Sequence, residues 1–245
     1  MTTGPSAPDS FPLLEDLATP PASGVPRADA SVRPVVAHLA GLDGLRAIAV
    51  MSVVFYHLNL SGFFAGGFLG VDIFFTLSGF LITSLLLREF DARGGIDLKD
   101  FYLRRFRRLA PAMLAVIAVC ALLVQVVAED AAPQLRKDIP AALFYVSNWW
   151  QIVSEQSYFE MMSRPPLLQH LWSLAIEEQF YLLWPLLLMG VLDRFGRRGL
   201  LWATLALTLL TAGAMALRAV LGDIPLEADP NRLYLGTDTH TTGLF

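Results

Sequence analysis

The sequence predicts an all-α, polytopic integral membrane helix bundle on three observations: composition, the length of its apolar runs, and the placement of positive charge. Of 245 residues, 55% are hydrophobic and 16% charged, against about 45–50% and about 25% in soluble domains. Apolar runs recur at the length a membrane helix needs, roughly 20 residues. Lysine and arginine gather in alternate joints between those runs, as they do in cytoplasmic loops. The formal net charge of −4 is small and says little about partners. No nucleic acid partner and no metal site are expected. One cysteine, Cys120, excludes an intramolecular disulfide.

Residues 1–40 are rich in Pro, Ala, Ser and Asp without sustained periodicity, which predicts a disordered tail ahead of a membrane domain over 41–245. The tail lacks the basic start and continuous apolar core of a signal peptide. Five spans are expected, over 44–61, 67–87, 109–128, 171–192 and 199–221. The third carries no charge. The second contains Asp72, the fourth Glu177 and Glu178, and the first Arg46 and His57. The joint after the second span holds Arg88, Arg93, Lys99, Arg104, Arg105, Arg107 and Arg108, and the joint after the fourth holds Arg194, Arg197 and Arg198. With both joints cytoplasmic, the N-terminus is cytoplasmic and the segment 129–170 faces outward. Within that segment "AALFYVSNWWQIV" is too short to cross and predicts a re-entrant or interfacial helix, with Tyr145, Trp149 and Trp150 at headgroup level. Pro111 is expected in the first turn of its helix, where proline is tolerated, and Pro185 is expected to kink the fourth span.

Several charged and polar side chains are too expensive in lipid to be decoration. Arg46 and His57 are eleven residues apart, about 16 Å along a helix and about 20° from the same face. Their bland readings are a snorkelling anchor for Arg46 and an interhelical hydrogen bond for His57. Asp72 needs a partner, for which His57 or Arg46 are the candidates. Asp72 and Ser78, six apart, do not share a face. Gly79 reads as a point of close helix approach. "FYLRRFRRLAP" is most simply a positive-inside cluster, yet arginine is also the preferred partner of phosphate. In "HLWSLAIEEQFYLLWP", Ser173, Glu177, Phe180 and Tyr181 share a face and Glu178 turns about 100° away.

These motifs, with "GFLGVDIFFTLSGFLI" and "RLYLGTDTH", stand in the order and spacing of the membrane acyltransferase-3 family, which the sequence resembles from about residue 40 onward. The resemblance implies transfer of an acyl group, most simply acetyl, from cytoplasmic acyl-CoA to a hydroxyl. It places His57 as the catalytic residue of an Arg-x10-His pattern beginning at Arg46, and Arg105 and Arg108 at the acyl-CoA end. Asp72, Phe75, Ser78 and Gly79 match one family signature, and His170, Ser173, Glu177, Phe180 and Tyr181 another, in which Glu177 is favoured over Glu178. Family domains usually have about ten membrane helices, so the chain resembles the N-terminal half of one. Where the family commonly carries arginine after "GTDT", His240 stands here.

The expected activity is therefore O-acylation of a surface glycan, lipid-linked sugar or small metabolite. Acyl-CoA (acetyl-CoA) serves as co-substrate with no bound cofactor. His57 acts as general base or carries the acyl group, Glu177 or Asp72 orients it, and Arg46, Arg105 and Arg108 bind the donor. Ser78, His170, Ser173 and Tyr181 support the site. Two competing expectations are a proton-coupled transporter using His57, Asp72 and Glu177, and an inactive half-domain needing a second chain for the remaining helices.

Overall fold

A computed structural model describes residues 40–58, 66–154, 165–221 and 231–245, and these are helices joined by turns, bends and short irregular stretches, with no strand among them. Contacts divide the chain into Met1–Val35 and Val36–Phe245, and every described residue belongs to the second unit. The tail expected over 1–40 lies outside the described residues, apart from Ala40.

Among the described residues eight α-helices follow in order: α1 Ala40–His57, α2 Gly70–Arg93, α3 Leu98–Val127, α4 Ala132–Leu143, α5 Ser147–Val153, α6 Leu171–Leu221, α7 Asn231–Leu235 and α8 Thr237–His240. Among the described residues, three segments are long and apolar enough to cross a membrane: Gly67–Arg93, Leu98–Val126 and Leu171–Leu221. The expected first span corresponds to α1, which carries Asp43 and Arg46 near its start, and residues 59–61 of that span lie outside the described residues.

The expected fourth and fifth spans occur as one helical run, α6, interrupted at Gly196 (φ 62°, ψ −166°). That combination of angles is essentially restricted to glycine. The chain therefore changes direction at Gly196. Pro185, where a kink was expected, lies within the helical run, and the non-helical angles of α6 fall at Gly196.

The polar joint expected between the second and third spans is much shorter than the charge pattern suggests. Gly94, left-handed at φ 69°, closes α2 by donating its N–H to Phe90 O, the usual use of glycine at a helix C-terminus. Asp97 then caps α3 by accepting from Asp100 N at 2.9 Å. Lys99 to Arg108 consequently lie on α3 itself, because arginine and lysine are good helix formers and hydropathy marks the lipid boundary, not the end of the helix. Pro111 is thereby interior to α3, where its missing N–H removes the bond to Arg107 O.

The interfacial helix expected over 141–153 is instead the end of α4, a turn with Tyr145 at φ 54°, and α5. The two indoles are held within the protein. Trp150 Nε1 donates to Asp138 and Trp149 Nε1 to Gln179.

The core runs along α2 and the first part of α6, with Phe75, Leu86, Phe101, Ile176, Trp184, Leu188 and Leu235 buried. Leucines such as Leu183, Leu187, Leu201 and Leu209 remain exposed on α6. This arrangement, with apolar residues outward and hydrogen bonds inward, suits a helix that meets lipid. Gly79 does permit a close approach, but by the Leu244 backbone and not by a helix face. A Cβ at Gly79 would collide with Leu244 C at 2.7 Å.

Candidate active site

Helices α2, α3 and α6 meet around Glu177. Ser78 Oγ donates to Glu177 Oε1 at 2.7 Å, and Tyr181 Oη, one turn along α6, lies 3.4 Å from Oε2. The Arg105 guanidinium lies 3.6 Å from the centre of the Tyr181 ring, within the range of a cation–π contact, and its Nε is buried without a hydrogen-bond partner. Arg105 and Arg46 are both close enough for their charges to act on Glu177, and Arg105 acts on Glu178 as well. Two neighbouring carboxylates thus share one half-buried guanidinium. Of the pair, Glu177 has the direct hydrogen bonds, whereas Glu178 Oε1 is buried without one.

Beside Glu177 lies a cavity of about 330 Å³, walled by Val50, Val53 and Val54 of α1, Phe74 and Phe75 of α2, and Ser173 of α6. It is apolar except where Ser173 and Glu177 face it. Ser173 Oγ also lies 3.4 Å from His170 O.

His57 closes α1 one turn beyond that wall. Its Nδ1 is 2.8 Å from Val53 O. A carbonyl only accepts, so Nδ1 carries the proton and the neutral ring keeps its lone pair on Nε2. His170 is close enough to His57 for their charges to oppose each other. Desolvation by surrounding protein, reinforced by that repulsion, holds the His170 pKa below its ordinary value despite a hydrogen bond to the Leu167 backbone.

Asp72 was expected to pair with His57 or Arg46, and the structure corrects this. Its Oδ1 lies 3.0 Å from His240 Nδ1, and the His240 ring is boxed by Phe75, Trp172 and Tyr234 at 5.5, 5.5 and 5.2 Å. Arg46 instead meets Asp43 at 3.6 Å. Arg108 is exposed on α3, unlike Arg105.

The residues that sequence reasoning missed are those that dock the C-terminal segment beside Glu177. Gln179 Nε2 donates to Tyr145 O and Asn148 Oδ1, while its Oε1 accepts from Thr237 Oγ1 at 2.6 Å. Asn148 Nδ2 donates to Leu235 O and Thr237 Oγ1. Asp238 receives both Arg232 nitrogens, at 2.9 and 3.0 Å, and Arg218 of α6 at 3.3 Å. The available signal was an uncharged amide next to aromatic residues, Asn148 in "SNWW" and Gln179 in "EEQFY". Buried amides require partners, but the sequence does not say which.

Residues 39–221 match the family described as an acyltransferase domain, acyltransferase-3. Among curated proteins, the O-acetyltransferase OatA of Staphylococcus aureus strain COL is 45% identical over 202 residues, 82% of this chain and 32% of the relative. OatA of strain MRSA252 gives the same values. The chain therefore spans about a third of the length of these relatives. No solved structure matches.

Proposed function

We propose, from the premise that this chain belongs to the acyltransferase-3 family, that it is a membrane O-acetyltransferase taking its acyl group from acetyl-CoA. The observation that carries the reading is the 45% identity to OatA over 202 residues. The geometry around Glu177 agrees with it.

Val53 O orients His57 so that Nε2 is the basic atom. His57 removes the proton of an acceptor hydroxyl, whose oxygen attacks the thioester carbonyl and expels the coenzyme A thiolate, or Nε2 itself displaces that thiolate and then yields the acyl group to the hydroxyl. The cavity beside Glu177 receives the acyl group, and Arg108, exposed at the arginine-rich end, meets the donor phosphates. Arg105 and Arg46 supply positive charge to the Glu177 side of the site. The acceptor is a hydroxyl of a surface glycan or lipid-linked sugar. In this reading α1 and the two parts of α6 about Gly196 complete five spans, with the N-terminus cytoplasmic.

A proton relay through Asp72 and Glu177 is less well supported. Asp72 is bonded to His240, whereas Glu177 is bonded to Ser78 and Tyr181. These are two local anchors and not successive members of a chain.

The test is single-turnover transfer of labelled acetyl from acetyl-CoA in membranes. His57→Ala is expected to lower the rate by about 10²–10⁴-fold at unchanged protein level. A wild-type rate in a folded His57→Ala protein would remove His57 from the mechanism.

A further inference from the structure

The bend in α6 serves no part of the candidate active site, yet it gathers positive charge where an apolar run ends. The sequence there is "DRFGRRG", residues 193–199, with three arginines against one acid, Asp193. Arg197 donates to both carboxylate oxygens of Asp91 near the end of α2, and Arg104 of α3 reaches Glu89 on the same stretch of α2. The bend and the arginine-rich start of α3 therefore share one end of the bundle. Arg107 and Arg108 are exposed there and, like the exposed Arg194 and Arg198, enter no ion pair among the described residues. Phe195 is 67% exposed, with the Arg194 guanidinium 5.8 Å from its ring centre. Gly199 leaves no room for a side chain against Phe195 Cβ, so the bend is folded closely on itself.

Exposed aromatic rings beside arginines at the end of an apolar helix mark the headgroup level of a bilayer. Two guanidiniums on either side of a break suit a phosphate, whose oxygens accept from arginine in pairs. Every phospholipid carries that phosphate. A zwitterionic headgroup also brings an ammonium, which the surplus positive charge repels, so this end favours headgroups with a net negative charge.

We propose that the bend at Gly196 binds an anionic phospholipid of the surrounding bilayer, with its phosphate between Arg194 and Arg198 and the upper part of its acyl chains against Phe195 and Trp202. The lipid bridges the two parts of α6 across the break. This interaction stands apart from acyl transfer, and its test reads lipid binding alone.

Of the five tryptophans only Trp202 is exposed, and it lies about 6 Å along the helix beyond Arg198, which makes it the reporter. The whole chain is reconstituted in phosphatidylcholine vesicles in which a small fraction of either phosphatidylglycerol or phosphatidylcholine carries bromine high on its acyl chains, and quenching of tryptophan fluorescence is followed. Brominated phosphatidylglycerol is expected to associate about 5-fold or more tightly than brominated phosphatidylcholine, and the gap is expected to narrow at high salt. It closes in the double variant Arg194→Gln, Arg198→Gln, and it is no longer seen in Trp202→Phe, which lacks the reporter. Equal quenching by the two lipids in wild type would overturn the proposal, and that comparison needs no variant. So would a preference kept in the double variant or in Trp202→Phe, which would place the lipid elsewhere. A preference abolished by adding coenzyme A would assign these arginines to the donor phosphates and overturn it as well.

Discussion

Arg105 and Arg108 stand three positions apart on α3 yet meet different surroundings. Arg105 is folded onto the Tyr181 ring beside two glutamates, whereas Arg108 is exposed. The two residues should therefore fail differently. Arg105→Lys loses the planar stacking that a guanidinium provides and an ammonium does not. It is expected to lower thermal stability and the transfer rate together, by about 10-fold in rate for each 1.4 kcal/mol lost from the transition state. Arg108→Ala is expected to raise KM for acetyl-CoA with little change in melting. Both readouts come from purified variants compared with wild type. The sequence put both residues in one cluster because charge and spacing are all it shows. Which of them turns inward depends on α6 bringing Tyr181 and Glu177 to that face.

At the scale of the element, α6 shows how composition and backbone geometry divide the evidence. Two apolar stretches separated by "DRFGRRG" were legible as two spans. The break falls at Gly196, with angles few other residues adopt, and not at Pro185. Proline lacks only one donor and the helix tolerates that loss here, whereas φ 62° with ψ −166° cannot be helical. Gly196→Ala is expected to cost about 1–3 kcal/mol of stability, seen as a lower melting midpoint, while the existing chain direction at Pro185 stays unchanged in Pro185→Ala. Cysteine accessibility at positions flanking Gly196 would report any straightening. The arginine-rich segment 99–108 carries the opposite lesson. It was expected as a joint, and Asp97 instead starts a helix that runs through it, because lipid preference and helix propensity are separate properties.

For the molecule as a whole, two titrating groups outside the long helices set an acid limit. The His170 pKa lies below its ordinary 6.5 through desolvation and then the neighbouring His57 charge. The folded state therefore binds that proton less readily than the unfolded chain, and stability falls as pH drops below 6.5. Desolvation pushes the Asp238 pKa up, but Arg232 and Arg218 outweigh it and hold the carboxyl below its usual 3.8. Its contribution is complete above 3.8 and lost as pH falls through the folded value. Melting midpoints should thus decline in two steps on acidification. His170→Asn should abolish the upper step, and Asp238→Asn the lower.

The sequence by itself determined the all-helical membrane character, the family, and the residues that group by motif. Apolar run length, charge placement and helical spacing are local properties, and they survive without knowledge of the fold. Only the tertiary structure decided who partners whom. Asp72 finds His240 from 168 positions away, Ser78 finds Glu177 across 99, and Gln179 joins α5 to α8. Such pairings are selected by packing between helices and by the need of buried polar groups for partners, and neither leaves a periodic trace in the chain. Arg46 and His57 show both sides. Their shared helical face was readable from spacing alone, and the Val53 carbonyl on His57 is a contact one turn back within α1 itself, whereas the action of the Arg46 charge on Glu177 required the assembled bundle.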